Sequence, residues 1–246
     1  MLKYNLEWCV KMKKIIVSDF DDTIYVNQKI EKETVKLIHK FRKDGNLLII
    51  ATGSSYPSLI SKIGNSGLEY DYLICDHGCN IMKDERLVYY KLIDNNIVGE
   101  LIESYKLDKT NNNFAISKNH GNVGLDNKEI SKIHISFKNK GDDFKAKEEL
   151  NKKYSNLINV YCLSNYYNSI EIINGKCSKL NAMAKIIELE NISDYKIYPI
   201  GDGYSDIEMV KKYNGYCVKN AVSELKKISS KIYNNFQEFI IEIINE

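Results

Sequence analysis

The sequence predicts an α/β fold: a doubly wound, mainly parallel sheet whose chain is interrupted by an inserted α+β segment. Three observations carry this. From Lys13 to Cys75, short apolar runs alternate with runs of helical period, as βαβαβ units do. Across 83–173 the rhythm changes to half-exposed alternating strands beside two helices. From Gly175 the α/β alternation returns. The boundaries fall near residues 82 and 174, giving a core in two parts, 1–82 and 174–246, around an insert at 83–173.

Ile15–Val17 is a short, fully apolar strand. Glu31 to Lys43 is helical: Val35, Ile38 and Phe41 share a face, Lys40, Arg42 and Lys43 suit the last turn, and Gly45 stops it. "NLLIIATG" is a strand with the continuous apolar character of one buried on both faces. Ser55-Tyr56-Pro57 opens a short helix ending near Gly64, and "YDYLICD" is the next strand. In the insert, "RLVYYKL" is a strand and Asp94 caps a helix through Tyr105. "FAISK" is extended, "KIHISFK" alternates as a half-exposed strand, and "DDFKAKEELNKKY" is a helix with a charged, solvated face. "INVYCLS" and "NSIEII" pair around "NYYN". Then come a helix from Ser178 to Glu190, the strand "KIYPI", a helix from Ser205 to Tyr213 stopped by Gly215, and the strand "GYCV". A helix from Val222 and an apolar tail follow. The Asn run at 111–113 is a loop.

With 43% hydrophobic and 28% charged residues the composition is that of a globular chain rather than a disordered one. Thirty-five basic against 33 acidic side chains, a formal charge of +2, give no electrostatic case for nucleic acid or an anionic membrane as a partner. No apolar run reaches transmembrane length. "MLKYNLEWCVKMKK" lacks the features of a secretory signal. Met12 directly before the first strand marks residues 1–11 as an extension or an unused upstream start. The six cysteines are scattered through apolar segments and read as reduced thiols, which places the chain in the cytoplasm. "CDHGCN", Cys75 to Asn80, has no second Cys/His pair of zinc spacing, so it reads as a strand-end turn.

The chemistry concentrates in four places. "SDFDDT" sets three acids after an apolar strand, where open α/β sheets bind ligands. In extended backbone Asp19 and Asp21 face one space while Phe20 and Asp22 point away. Two converging carboxylates with oxygen-only donors call for a hard cation such as Mg²⁺. "YPIGDGYSDIEM" is a second acidic strand end: Gly201 and Gly203 permit a tight turn at Asp202, and Asp206 lies in the next helix's first turn. In "IIATGSS", the hydroxyls and amides of Thr52, Gly53 and Ser54 suit phosphate oxygens. Lys179, starting the helix after the insert, can offset negative charge there. Taken singly, each has an ordinary alternative: solvated loop acids, a plain Thr-Gly turn, a surface lysine, an acid serving a helix N-terminus. Their joint order at strand ends and helix starts of one α/β pattern is what points to a site.

That order resembles the haloacid dehalogenase superfamily of phosphohydrolases, in particular its Cof-like branch with a large α/β cap inserted after the third core strand. The matching residues are Asp19-Phe20-Asp21-Asp22-Thr23, Thr52, Lys179, and Gly201-Asp202 through Asp206, spanning Lys13 to about Leu225. The resemblance implies a Rossmann-like core with an α+β cap. It implies Asp19 as nucleophile forming an aspartyl-phosphate and Asp21 as the acid and base. Mg²⁺ would be held by Asp19, Asp21, Asp202 and Asp206, and phosphate by Phe20, Thr52, Gly53, Lys179 and Ser205. The expected activity is Mg²⁺-dependent hydrolysis of small phosphomonoesters, sugar phosphates or similar metabolites. A phosphomutase using the same intermediate, a phospho-acceptor signalling domain and a non-catalytic metal- or metabolite-binding protein are the alternatives. The chain departs from the pattern at Ser205 (usually Asn), His77-Gly78-Cys79 (usually Asn-Gly-Ala), Asp22 (commonly Gly) and Ser54 (frequently Arg). The cap loop "SKNHGNVG", 117–124, is a candidate to face the site. A monomer fits; the sequence does not fix the oligomeric state.

Overall fold

The computed structural model describes residues 12–105, 114–117, 121–123, 129–163 and 168–246. The first part of the core holds β1 (Lys13–Ser18), a small hairpin of β2 (Tyr25–Val26) and β3 (Lys29–Ile30), α1 (Lys32–Lys43), β4 (Leu47–Ala51), α2 (Tyr56–Ile63) and β5 (Tyr72–Cys75). Then follow β6 (Asn80–Lys83), β7 (Arg86–Tyr90), α3 (Asn95–Tyr105), β8 (Phe114–Ser117), β9 (Gly121–Val123), β10 (Ile130–Ser136), α4 (Asp142–Lys153), β11 (Ile158–Cys162) and β12 (Ser169–Asn174). The chain returns to the core through α5 (Lys179–Glu190), β13 (Tyr195–Gly201), α6 (Ile207–Lys212), β14 (Tyr216–Val218), α7 (Ser223–Ile228), β15 (Lys231–Tyr233) and α8 (Phe236–Asn245).

An eight-stranded sheet runs in the order β15-β14-β13-β1-β4-β5-β6-β7, parallel from β15 to β5 and antiparallel at β6 and β7. Strand alternation sorts its side chains between two cores. Ile16, Leu48 and Ile50 pack with residues of α1, α2 and α8; Ile15, Val17 and Ile49 pack with residues of α5, α6 and α7. Ile15, Ile16 and Val17 are fully buried, each worth roughly 1.5–3 kcal/mol of transfer free energy. Apolar residues on both faces explain the continuous hydrophobic runs of β1 and β4, and the layered α/β expectation holds. A second sheet, β11-β12-β10-β8-β9, packs with α3 and α4 around its own core of residues including Leu101, Ile133, Leu150 and Ile172.

Several expectations need correction. The boundary near residue 82 falls inside the large sheet, because β6 and β7 extend it as far as Tyr90. The two-residue turn joining them, Asp84-Glu85, has φ of 47° and 61°, the left-handed pair that a tight hairpin requires. It lacks the Asn-Gly signal that would have announced it. Residues 121–123, expected in a loop, form β9 against β8. The tail after α7 contains a parallel edge strand, β15. The helix expected from Ser205 begins as a 3₁₀ turn, Tyr204–Asp206, before α6. Strands β10 and β12, expected half-exposed, are largely buried. The 1–11 extension, the 111–113 run and the centre of the 117–124 loop lie outside the described residues. Among the described residues no helix is long and apolar enough to cross a membrane.

Candidate active site

The register Ser18↔Ile200 between β1 and β13 brings Asp19 beside the Gly201-Asp202 turn, and the Asp19 amide donates to the Ile200 carbonyl at 2.9 Å. The 3₁₀ turn that follows returns Asp206 under the same strand end. One of its carboxylate oxygens, Oδ2, accepts from the amides of Asp202 (3.1 Å) and Gly203 (2.9 Å). Gly201 is required for this approach: a Cβ there would lie 2.2 Å from the Asp206 carboxyl carbon. From α5, whose N-terminus is capped by the Ser178 hydroxyl, Lys179 turns inward. Its Nζ donates to Asp19 Oδ1 at 2.6 Å and to Asp206 Oδ1 at 2.7 Å, and only 1% of its surface is exposed.

Asp19, Asp202 and Asp206 each present a carboxylate oxygen within 4.8 Å of the others. Burial pushes the Asp19 carboxyl up to about 6, with Lys179 pulling it back. Burial and then the neighbouring Asp19 charge drive Asp202 up to about 10. Lys179 rises in turn because Asp19 and Asp206 outweigh its own desolvation. Three acids share one ammonium, a negative surplus once all three ionise. A purely oxygen donor set with that surplus fits Mg²⁺.

Asp21 stands apart from this group. Its carboxylate accepts from Lys62 Nζ at 2.6 Å, from the Ser54 hydroxyl at 3.0 Å and from the Thr52 hydroxyl at 3.5 Å. Of the four acids that the resemblance implies for the metal, Asp19, Asp202 and Asp206 group together, while the Asp21 carboxylate is turned to Lys62 of α2 and the Ser54 hydroxyl. Asp22 also borders the cavity rather than pointing away, its φ of 58° turning it outward and leaving it exposed. Phe20 is fully buried and stacks on Tyr25, so its ring offers the site nothing; only its main chain could face a phosphate. Thr52 accepts from the Ser54 amide at 3.0 Å, shaping the Thr52–Ser54 turn. Asp19, Asp21, Thr52, Gly53, Lys179 and Ser205 all line one cavity of about 800 Å³.

A sequence family described as haloacid dehalogenase-like hydrolase matches residues 16–143 and 104–238. The chain belongs to that family. Its fold is shared with a Plasmodium vivax protein described as a HAD/COF-like hydrolase, at TM-score 0.81 and 16% identity over 95% of each chain. A Bacteroides thetaiotaomicron protein described among phosphatases of the haloalkanoate superfamily superposes at TM-score 0.78 and 16% identity, over 99% of this chain and 98% of that one. An uncharacterized protein of Mycoplasma capricolum subsp. capricolum is 29% identical, across 87% of this chain and 93% of its own.

In this haloacid dehalogenase-like chain three charged cavity residues were not anticipated: Lys62, Lys132 and Glu171. Lys132 and Glu171 are 3% and 7% exposed, and they form an ion pair at 2.8 Å between adjacent strands β10 and β12. Their pairing explains why the insert's strands are not half-exposed: a charge can be buried when its partner is buried with it. Burial raises the Glu171 carboxyl, but Lys132, His134 and His77 outweigh it and hold it well below the usual range. The available signal was a lone Glu inside the apolar run "SIEII". The "CDHGCN" segment is a strand-end turn, as expected, with its described cysteines free. Asp76 and His77 both take left-handed φ, 49° and 54°, which aims their amides at the Ser54 and Thr52 carbonyls, each at 3.0 Å.

Proposed function

We propose that this chain is a Mg²⁺-dependent phosphatase of small phosphomonoesters, working through an aspartyl-phosphate on Asp19. The observation that carries this is the placement of Asp19 at the end of the central strand, bonded to Lys179 and grouped with Asp202 and Asp206, with Asp21 lining the same cavity. Asp19 attacks phosphorus as the bond to the leaving oxygen breaks, and Asp21 supplies the proton that oxygen takes. Asp21 then removes a proton from water attacking the phosphorus, which releases phosphate and restores the Asp19 carboxylate. Lys179 offsets charge on the phosphoryl oxygens, and the Thr52–Ser54 turn offers them hydroxyl and amide donors. Bound at Asp19, Asp202 and Asp206, Mg²⁺ would supply further charge neutralisation on the phosphoryl group.

The insert, with its sheet against the cavity through Lys132 and Glu171, acts as the cap that selects the leaving group. An 800 Å³ cavity lined by carboxylates, lysines and hydroxyls suits a small polar ester such as a sugar phosphate. The test is release of inorganic phosphate from a broad panel of esters, with Mg²⁺ and with EDTA. Mg²⁺-dependent release supports the reading. Isomerised phosphoester without free phosphate would make it a mutase, and binding without turnover a non-catalytic receptor.

A further inference from the structure

The Thr52–Ser54 turn is gripped by groups that the reaction itself does not use. The peptide joining Gly53 to Ser54 is held at both ends: its carbonyl accepts from Lys132 Nζ at 2.5 Å, and its N–H donates to Thr52 Oγ1 at 3.0 Å. The space beside Gly53 where a side chain would stand is filled by the His77 ring, whose Cε1 lies 2.3 Å from an ideal Cβ position. One carboxylate ties these two clamps together. Glu171 accepts from Lys132 through Oε1 at 2.8 Å and from His77 Nε2 through Oε2 at 2.5 Å. Because an ionised carboxylate only accepts, the His77 proton sits on Nε2. Tyr161 of β11 stacks on the other side of the cluster, 4.6 Å from the His77 ring centre.

Lys132, Glu171 and Tyr161 come from the insert; Gly53 and His77 come from the core. Any displacement of the insert relative to the core therefore breaks the Gly53 and His77 contacts together. Lys132, Glu171 and His77 Nε2 are engaged with one another, and Asp76 Oδ1 is a further 3.6 Å neighbour of Lys132. Beyond these carboxylates, the Lys132 ammonium reaches a main-chain carbonyl of the core, that of Gly53 in the turn. We propose that Lys132, Glu171 and His77 form a brace through which the seated insert fixes the Thr52–Ser54 turn, so that the phosphate site is complete only when the insert is in place. These are positioning residues, and the proposal rests on reading that turn as the phosphate site.

The test compares the wild type with Lys132→Met and with Lys132→Met/Glu171→Gln. The double variant keeps the cluster's net charge and guards against a fold lost to an unpaired buried carboxylate. Two readouts are taken on variants that melt cooperatively: hydrogen exchange at the Ser54 amide, and affinity for inorganic phosphate in the presence of Mg²⁺. A hydrogen bond to a charged group corresponds to roughly ten- to hundredfold in an equilibrium constant, so Ser54 exchange should quicken and phosphate binding weaken by at least about tenfold. Lys132→Arg should recover most of both, and in the charge-balanced double variant exchange at Ile16 in the central strand should change far less than at Ser54. Unchanged Ser54 exchange, or faster exchange with unaltered phosphate affinity, overturns the proposal. Exchange needs no turnover, so the two claims separate. Altered exchange and phosphate affinity in a protein that hydrolyses no ester keeps the brace and sinks the phosphatase. Ester hydrolysis with wild-type exchange in the variant does the reverse.

Discussion

Replacing Lys179 by Met removes one ammonium and little volume, so its effect isolates the charge balance of the site. Lys179 is 1% exposed and bonds to Asp19 at 2.6 Å and to Asp206 at 2.7 Å. Removing one partner of a buried ion pair costs about 3–5 kcal/mol, because the remaining charge stays buried without compensation. At about 2–4 °C per kcal/mol for a domain of this size, the metal-free variant should melt roughly 6–20 °C below the wild type. A cation bound by the same acids restores part of the balance, and ligand at a hundred times its Kd contributes about 2.7 kcal/mol. Thermal melts in EDTA and in excess Mg²⁺ read this directly: the deficit should be large in EDTA and smaller with Mg²⁺. The turnover number should fall by about 10²–10³, as when one preorganised donor to a developing charge is lost. Equal melting in EDTA, or a deficit of the same size with and without Mg²⁺, would refute the assignment of Lys179 as the compensating cation.

Two further outcomes follow from the same geometry. Gly201→Ala forces a methyl group to 2.2 Å from the Asp206 carboxyl carbon, so Asp206 must leave its amide bonds; Mg²⁺-induced stabilisation should drop sharply, and an unchanged Mg²⁺ titration would contradict the packing. Asp76 is raised from 3.8 to about 6 by burial, against the pull of Lys132. The folded state therefore holds that proton more tightly than the unfolded chain, and this contribution to stability is lost as pH rises from about 4 through 6. Its size is on the order of 3 kcal/mol at 1.36 kcal/mol per unit. Glu171, held low, acts in the opposite sense, its contribution being lost as pH falls below about 4.5. Asp76→Asn should flatten the pH profile of urea unfolding between 4 and 6; an unaltered slope would remove Asp76 from the account.

The core was legible because its strands are buried on both faces and its helices are periodic, so β1, β4 and β5 and the helices between them stand where apolar pattern and turn residues put them. Asp19, Lys179, Asp202 and Asp206 were legible for a related reason: each lies within a few residues of a strand end or helix start, and parallel register carries those positions to one place. What failed were features set by local dihedrals or by partners distant in sequence. Asp21 stands apart from the acid group because its carboxylate is held by Ser54 and by Lys62, 41 residues on. The β6–β7 extension hid behind an Asp-Glu hairpin turn that carries no glycine. The Lys132–Glu171 pair was not legible because alternation in "KIHISFK" cannot show that β12, with its own charge, lies alongside.

The central claim is that Asp19 carries the phosphoryl group. The most direct measurement is mass spectrometry of the Asp19 peptide after rapid acid quench, using the Asp21→Asn variant and an ester found active in the panel. That variant retains the nucleophile but lacks both the proton donor and the base, so the ester is an aryl one whose phenolate leaves without a proton, and only attack by water is stalled. The account predicts a phosphoryl adduct on Asp19, absent in Asp19→Asn and lost on treatment with hydroxylamine. Turnover by the wild type with no adduct on Asp19, or an adduct on another residue, would contradict it.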